Sequence, residues 1–297
     1  MRWSPGASTS DVEDRRGSGG GLGGLPIPIG SLGGLGGGGI VVVLVIVVLM
    51  KLLGGGGAFD PGGINGIPPA GSGGNGLAAA PDADKRLKDF IVYVFDDVQS
   101  FWVEQFAPTQ KGYERAKLVL YTGATSTGCG TGQASAGPFY CPTDGRVYLD
   151  LGFFTELRDR FKAGGDFAQA YVIAHEMGHH VQTLLGISDK VHAKEQDDPS
   201  LARGAKSLSV RLELQADCLA GVWAHQVYQR GDLEAGDVEE ALTAAASVGD
   251  DRIQKASTGS VHPEGFTHGT AEQRQHWFGA GYDSGDTADC DTFTSDI

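Results

Sequence analysis

The sequence predicts an α+β protein that is mostly helical, with a small sheet beside one central helix. Two observations carry this prediction. Apolar residues recur at three- and four-residue steps in the stretches 82–106, 166–185 and 201–230, which is typical of helices that bury one face. Two short runs, 116–121 and 146–150, are rich in β-branched and aromatic residues and therefore favour strands.

Glycine and charge divide the chain into two parts. Residues 1–80 hold 25 of the 48 glycines, and their four basic and four acidic side chains cancel. The formal net charge of −14 therefore belongs to residues 81–297, which we expect to form the folded domain. An acidic domain repels nucleic acid and anionic lipid and suits neutral or basic polypeptides. We expect a polypeptide partner and no nucleic-acid function.

The first part of the chain contains one strongly apolar run. Residues 1–31 are glycine-rich with too little apolar surface for a core, so we expect disorder there. The segment 32–53 contains eleven consecutive Val, Ile, Leu and Met residues and would span about 33 Å as a helix. We expect it to be a single transmembrane helix, followed by a flexible Gly/Pro-rich linker over residues 54–80. A buried strand and a cytosolic oligomerisation segment are the alternatives.

The central helical stretch, 166–185, contains the most informative motif. It reads His-Glu-Met-Gly-His from His175 to His179. Two histidines four residues apart lie on the same helix face, so both imidazoles can bind one cation. Glu176 flanks that cation and can take a proton from a water that zinc has acidified, the chemistry by which zinc proteases attack a peptide carbonyl. We expect His175 and His179 to bind one catalytic Zn²⁺, with Glu176 as the general base.

A third ligand is needed, because a catalytic zinc normally has three protein ligands and one open position. The next long helical stretch, 201–230, carries Glu213 and Asp217 four residues apart and therefore on one face. We expect Glu213 to be the third zinc ligand. We expect Asp217 to accept an N–H from a ligand histidine and so fix its tautomer.

The order of these two motifs resembles that of the gluzincin peptidases. More widely, the sequence resembles the bacterial neutral zinc metallopeptidase family, whose members are membrane-anchored proteins of about this length. The matching stretches are 11–16, 137–142, 147–150, 175–182, 213–221 and 267–274. The resemblance implies a zincin-like fold, a single N-terminal membrane span and peptidase activity, but it implies no particular substrate.

Two further expectations concern how such an enzyme handles its substrate. Proteases of this kind hold the substrate as an extra strand along a sheet edge beside the metal helix, and residues 137–150 are the candidate for that edge. An ordinary internal strand is the alternative. Thermolysin-like enzymes stabilise the oxyanion with a histidine late in the chain, and His268 is the candidate here, with Tyr148 and Tyr282 as rivals.

The four cysteines bear on the compartment. None forms a Cys-x-x-Cys pair, so a structural zinc knot is not expected. Three disulfide pairings and a set of four free thiols are all open; the tightest pairing joins Cys129 to Cys141 and leaves Cys218 with Cys290. Disulfides would imply an oxidising compartment. With the apolar segment, they favour a single-pass membrane protein whose catalytic domain lies outside the cytoplasm.

The sequence therefore predicts a membrane-tethered, zinc-dependent peptidase that hydrolyses peptide bonds through a metal-activated water. The alternative from another class is a non-catalytic interaction module, anchored in the membrane, in which zinc holds two helices together. The two differ in the fourth coordination position, because only the peptidase needs it open to water.

Overall fold

The computed structural model describes residues 1–17, 85–109 and 112–297, and within them the expected α+β class is confirmed. The strands are β1 (Val12–Asp14), β2 (Lys117–Tyr121), β3 (Ala124–Thr127), β4 (Gly130–Gln133), β5 (Phe139–Cys141) and β6 (Arg146–Asp150). The helices are α1 (Lys85–Phe106), α2 (Gly152–Asp159), α3 (Asp166–Leu184), α4 (Ile187–Asp197), α5 (Leu208–Gln229), α6 (Asp237–Ser247), α7 (Asp250–Thr258) and α8 (Ala271–Ser284).

Four of the strands form one sheet in the order β1-β2-β6-β5, and β3 and β4 form a separate antiparallel hairpin. β1, β2 and β6 run parallel, whereas β5 is antiparallel to β6 and lies at the sheet edge. Side chains alternate along β2, so Leu118 and Leu120 join the helical core while Val119 and Tyr121 form a small cluster on the other face. Within the stretch 137–150, β5 is therefore the edge strand and β6 is internal.

Helix α3 is central to the packing, because it contacts α1, α5, α6 and β5. Its apolar stripe is buried as its periodicity predicts, with Phe167 and Met177 both fully inaccessible to solvent. The ring of Phe167 stacks on that of Trp223 from α5, with 5.8 Å between ring centroids. The two helices that carry the predicted metal-binding motifs are therefore packed against each other.

Glycine allows α5 to approach both of its neighbours at backbone distance. A Cβ atom on Gly178 of α3 would lie 3.0 Å from the Cα atom of Ala216 in α5. A Cβ atom on Gly221 of α5 would lie 2.1 Å from the carbonyl oxygen of Phe278 in α8. In the opposite direction, a Cβ atom on Gly281 of α8 would lie 2.0 Å from the carbonyl oxygen of Cys218. These contacts fix α5 between α3 and α8 in a way that no larger residue permits.

Residues 1–17 are folded, which corrects the expectation of disorder for this part of the segment 1–31. β1 pairs with β2, and Met1 is only 3% exposed, with its ammonium group 2.7 Å from Asp166 at the start of α3. Trp3 packs edge-on against Phe90 of α1 at 5.3 Å. The segment has few apolar side chains, and ion pairs such as that between Asp11 and Arg115 help to hold it, so its composition alone resembles that of a disordered chain.

The membrane prediction is also corrected. Among residues 1–17, 85–109 and 112–297, no helix is long and apolar enough to cross a membrane. The two 22-residue helices, α1 and α5, are amphipathic and carry charged residues such as Asp96 and Glu213. On this finding the predicted single-pass membrane localisation is wrong. The segments 32–53 and 54–80, expected to be a transmembrane helix and a linker, lie outside the described residues.

Two disulfides join the four cysteines. Cys129 pairs with Cys141, which ties the turn of the β3–β4 hairpin to the edge strand β5. Cys218 pairs with Cys290, which ties α5 to the C-terminal segment. The sequence left three disulfide pairings and four free thiols open. The structure contains the pairing in which Cys129 and Cys141 are joined, which closes a loop with a sequence separation of 12.

Candidate metal centre

The side chains of His175 and His179 point from α3 toward Glu213 on α5. The Nε2 atoms of the two histidines are 3.2 Å apart. The Nε2 atom of His175 lies 3.3 Å from Oε2 of Glu213, and that of His179 lies 3.5 Å from Oε1 of the same carboxylate. The three residues predicted as ligands thus form one compact group of donor atoms on two different helices.

These distances match the spacing of ligand atoms around a tetrahedral zinc ion. Zinc bonds of about 2.0–2.1 Å at tetrahedral angles place neighbouring ligand atoms about 3.3 Å apart. Two imidazole nitrogens and one carboxylate are also a common ligand set for catalytic zinc. Glu213 is partly buried, with 12% of its side chain exposed, and His175 is buried, so the group is shielded from bulk solvent. The residues therefore fit zinc in both geometry and chemistry.

The ring of His175 is oriented from its other nitrogen. Its Nδ1 atom lies 2.8 Å from Oδ1 of Asp217, which is fully buried. Because the ionised carboxylate accepts the Nδ1 proton, Nε2 carries the lone pair and faces His179 and Glu213. Burial opposes the charged imidazolium, but the neighbouring Asp217 carboxylate raises the pKa of His175 to about 9. A proton therefore competes with a cation for Nε2 at neutral pH.

The ring of His179 is oriented by a residue that the sequence analysis did not select. Its Nδ1 atom lies 2.9 Å from Oε1 of Gln182, one helical turn along α3. The amide nitrogen of Gln182 donates to the carbonyl oxygen of Leu212 and to Oε1 of Gln215, so the amide cannot rotate freely. The signal was present in the sequence as an amide side chain three positions after His179, on the helix face that carries both histidines.

Glu176 lies beside the three donor atoms, against the edge strand. It is 8% exposed, and burial raises the pKa of its carboxyl to about 7. A backbone hydrogen bond from Tyr140 of β5 partly offsets this effect by stabilising the ionised form. A carboxylate with a pKa near neutrality is suited to accept and return a proton under physiological conditions.

The two carboxylates of α5 stay ionised despite their burial. For Glu213, burial opposes ionisation, yet His179 and His175 hold its pKa well below the ordinary value. For Asp217, burial is again unfavourable, but Arg274 and His175 lower the pKa to about 2. The centre therefore presents an anionic oxygen next to two imidazole nitrogens, which is an electrostatic environment that favours a divalent cation.

His268 borders the same group from the loop before α8. Its Nδ1 atom lies 3.3 Å from Oδ1 of Asp250, whose other oxygen accepts the backbone N–H groups of residues 267–269. Burial opposes the charged ring, but Asp250 and Glu213 raise the pKa of His268. The two rivals have other partners: Tyr148 donates to Asp144, and Tyr282 packs against His225 and Tyr228.

Tyr171 and Arg274 also contact the centre, although neither belongs to the site predicted from the sequence. Both are buried against Asp217. Arg274 ends one of the stretches on which the family resemblance rests, whereas Tyr171 reads as one more apolar position of α3. His180, by contrast, points away from the donor atoms and hydrogen-bonds the hydroxyl of Tyr140 and the carbonyl oxygen of Glu114.

A mostly helical α+β domain with two histidines and a glutamate at zinc-ligand spacing carries a candidate metal site. The family model described as "Putative neutral zinc metallopeptidase" matches residues 1–293. The chain belongs to this family. The family description implies zinc as the metal and peptide-bond hydrolysis as the class of reaction.

Relatives with similar sequences occur in distant bacteria. The chain is 46% identical over 301 residues to the uncharacterized protein YpfJ of Escherichia coli K12, and the match covers all of both chains. It is 43% identical over 225 residues to the uncharacterized protein Rv2575 of Mycobacterium tuberculosis H37Rv, which covers 72% of this chain and 73% of the relative. No solved structure matches the chain at a significant level.

Proposed function

We propose that this protein is a zinc-dependent peptidase with a zincin-like, gluzincin-type centre. His175, His179 and Glu213 hold the zinc, and Asp217 orients His175. The observation that carries the proposal is the set of three donor distances, 3.2, 3.3 and 3.5 Å, because they agree with the edges of a tetrahedral zinc site.

A zinc ion held by His175, His179 and Glu213 would act as a Lewis acid toward the scissile carbonyl and would acidify the attacking water. Glu176 accepts the proton of that water on a carboxylate oxygen and then passes it to the nitrogen of the leaving amine. Its pKa of about 7, raised by burial, suits both steps. Asp217 and Gln182 keep the two histidine rings in the tautomer that presents Nε2 to the metal.

The substrate that fits this site is an extended polypeptide. β5 is a sheet edge next to Glu176, and its apolar residues Phe139 and Cys141 leave it free of the charges that block strand addition. The opposite edge, β1, is equally short but carries Glu13 and Asp14, which suits it poorly for this purpose. The net charge of −14 favours neutral or basic peptides over acidic ones.

His268 is the group that we assign to the developing oxyanion. Asp250 orients its ring through Nδ1, so Nε2 is left for a hydrogen bond to substrate. The raised pKa of His268 favours the protonated ring, and a protonated imidazole is the better donor to an anionic oxygen.

The test is the substitution Glu176→Gln in the full chain. The variant should bind zinc as the wild type does and lose cleavage of a library of neutral and basic peptides, because an amide cannot accept the proton. Glu156→Gln, on an exposed position of α2, is the matched control and should leave turnover unchanged. Undiminished turnover in Glu176→Gln would refute the mechanism.

A second variant tests the metal site itself. Glu213→Ala should lower the zinc content, because it removes one of three ligands; a full complement of zinc in this variant would place the third ligand elsewhere. A wild-type protein that binds zinc but cleaves no peptide would instead favour the non-catalytic interaction module, in which zinc holds two helices together.

A further inference from the structure

The carboxylate of Asp217 is held by more contacts than a single histidine requires. Its Oδ1 atom lies 2.8 Å from Nδ1 of His175 and accepts hydrogen bonds from the hydroxyl of Tyr171 and from Nη2 of Arg274, the latter at 2.9 Å. Its Oδ2 atom accepts Nε of Arg274 at 2.8 Å. Arg274 thus donates hydrogen bonds to both carboxylate oxygens of Asp217, while His175 and Tyr171 both contact Oδ1.

Solvent takes almost no part in this arrangement. Asp217 is 0% exposed, Tyr171 2% and Arg274 3%. A buried carboxylate needs a compensating positive charge, and Arg274 supplies it directly. The same guanidinium also donates to the hydroxyl of Tyr171 at 3.1 Å, so the three side chains form a closed triangle of hydrogen bonds.

We propose that Arg274 is a positioning residue of the metal centre, which fixes the plane of the Asp217 carboxylate and through it the ring of His175. The inference rests on the proposed function, since it concerns the same zinc site. A planar guanidinium that bonds both carboxylate oxygens allows one orientation, whereas a lysine ammonium in the same place allows several. Tyr171 restricts Oδ1 further from the side of α3.

The helix packing explains how an arginine 57 residues after Asp217 reaches this position. Arg274 lies in the first turn of α8, after a capping box formed by Thr270 and Gln273. Close contact between α8 and α5 at Gly221 and Gly281 sets the distance from Arg274 to Asp217. Phe278, one turn further along α8, packs edge-on against Tyr171 at 5.5 Å. Helix α8 therefore supports the metal site without supplying a ligand.

The experiment compares metal binding in Arg274→Lys, Tyr171→Phe and wild type, by chelator competition and by the visible absorption spectrum of the Co²⁺-substituted protein. Arg274→Lys keeps the positive charge but removes the pair of N–H donors that bonds both oxygens of Asp217. It should therefore weaken zinc binding by about 10- to 100-fold and alter the visible absorption bands of the Co²⁺-substituted protein. Tyr171→Phe should produce a smaller change of the same kind. If Arg274→Lys does not fold, as judged by circular dichroism, Tyr171→Phe decides the question.

Arg211→Lys is the matched control. Arg211 is on α5, as Glu213 and Asp217 are, but its guanidinium donates to the carbonyl oxygens of Thr292 and Ser295 and not to Asp217. It should lower thermal stability and leave zinc affinity and the Co²⁺ spectrum unchanged. Wild-type affinity and spectrum in both Arg274→Lys and Tyr171→Phe would overturn the inference. Failure of the proposed function would give a different result. The wild-type protein itself would then bind no zinc, or it would bind zinc and cleave no peptide while the variants still lose zinc affinity.

Discussion

Gly178 lies directly against Ala216, and this contact sets the distance between the two helices that carry the proposed metal-binding residues. Gly178 sits between His175 and His179 on α3, and Ala216 sits between Glu213 and Asp217 on α5. A Cβ atom on Gly178 would approach the backbone of Ala216 to 3.0 Å. The ligand geometry therefore depends on a residue that binds nothing.

Gly178→Ala should push α3 and α5 apart, and we expect a loss of about 1–3 kcal/mol of stability from overpacking together with weaker zinc binding. Thermal denaturation and chelator competition measure the two effects. Gly279→Ala in α8 is the control, because no atom lies within 4 Å of its Cβ position. That variant should be neutral or stabilising by up to about 1 kcal/mol, as alanine favours a helix over glycine. Equal behaviour of the two variants would contradict this role for Gly178.

The stability of the metal-free protein should depend on Glu176 in a defined pH range. Burial raises the pKa of Glu176 from 4.5 to about 7, so its ionisation costs folding free energy as pH rises through this interval. Glu176→Gln should therefore stabilise the metal-free protein by roughly 3 kcal/mol above pH 7, at about 1.4 kcal/mol per pKa unit, and not at all below pH 4.5. Urea denaturation at several pH values measures this difference. Zinc should reduce this difference in stability, because a nearby cation favours the ionised carboxylate. A difference in stability that is the same at every pH would argue against ionisation of the buried Glu176 as its cause.

The attachment of the N-terminal segment should weaken in acid. Asp11 accepts hydrogen bonds from Arg115 at 2.6 Å and Lys117 at 2.7 Å. Burial opposes ionisation, but these two cations lower the pKa of Asp11, so its contribution is full above about pH 4 and is lost as pH falls through the lower, folded-state pKa. Asp11→Asn should remove about 2 kcal/mol of that contribution at neutral pH.

Amide hydrogen exchange over residues 1–17 reports this change as a drop in protection factors. Asp159→Asn is the control, since the side chain of Asp159 forms its ion pair with its exposed neighbour Arg158, away from residues 1–17. Unaltered protection in Asp11→Asn at pH 7 would mean that other contacts hold the segment.

The two disulfides should differ in their response to a reductant. Cys129 is exposed, whereas Cys218 and Cys290 are 0% and 2% exposed. Mild dithiothreitol without denaturant should therefore open the bridge to Cys141 first, as peptide mapping after alkylation would reveal. The sequence separations of 12 and 72 predict losses of roughly 3 and 4 kcal/mol when each bridge is replaced by serines. Simultaneous reduction of both bridges would contradict their different exposure.

The sequence predicted the parts of the site that follow from helical periodicity. Residues four apart on one helix must share a face, so the pairs His175/His179 and Glu213/Asp217 could be placed before any coordinates were known. Contacts between distant elements could not be placed in this way. Arg274 meets Asp217 only because α8 packs on α5, and nothing local to either residue encodes that packing.

The same limit explains the errors elsewhere. Residues 1–17 bury little apolar surface, so their order depends on partners such as Asp166 and Arg115 that lie far along the chain. Strands β3 and β4 were not among the predicted strands, because they consist mostly of small residues without an alternating apolar pattern; the disulfide from Cys129 holds their turn beside β5.

Arg274 follows the three proposed zinc ligands in the chain, and this order has a consequence for biosynthesis. A ribosome releases the three zinc-binding side chains well before it releases α8, so a nascent chain can hold these ligands while the ring of His175 still lacks its anchor. On the proposed function, full proteolytic competence would then arrive only after α8 has emerged, later than the ligands themselves. Such a schedule would keep a half-made enzyme from cutting the chains that surround it.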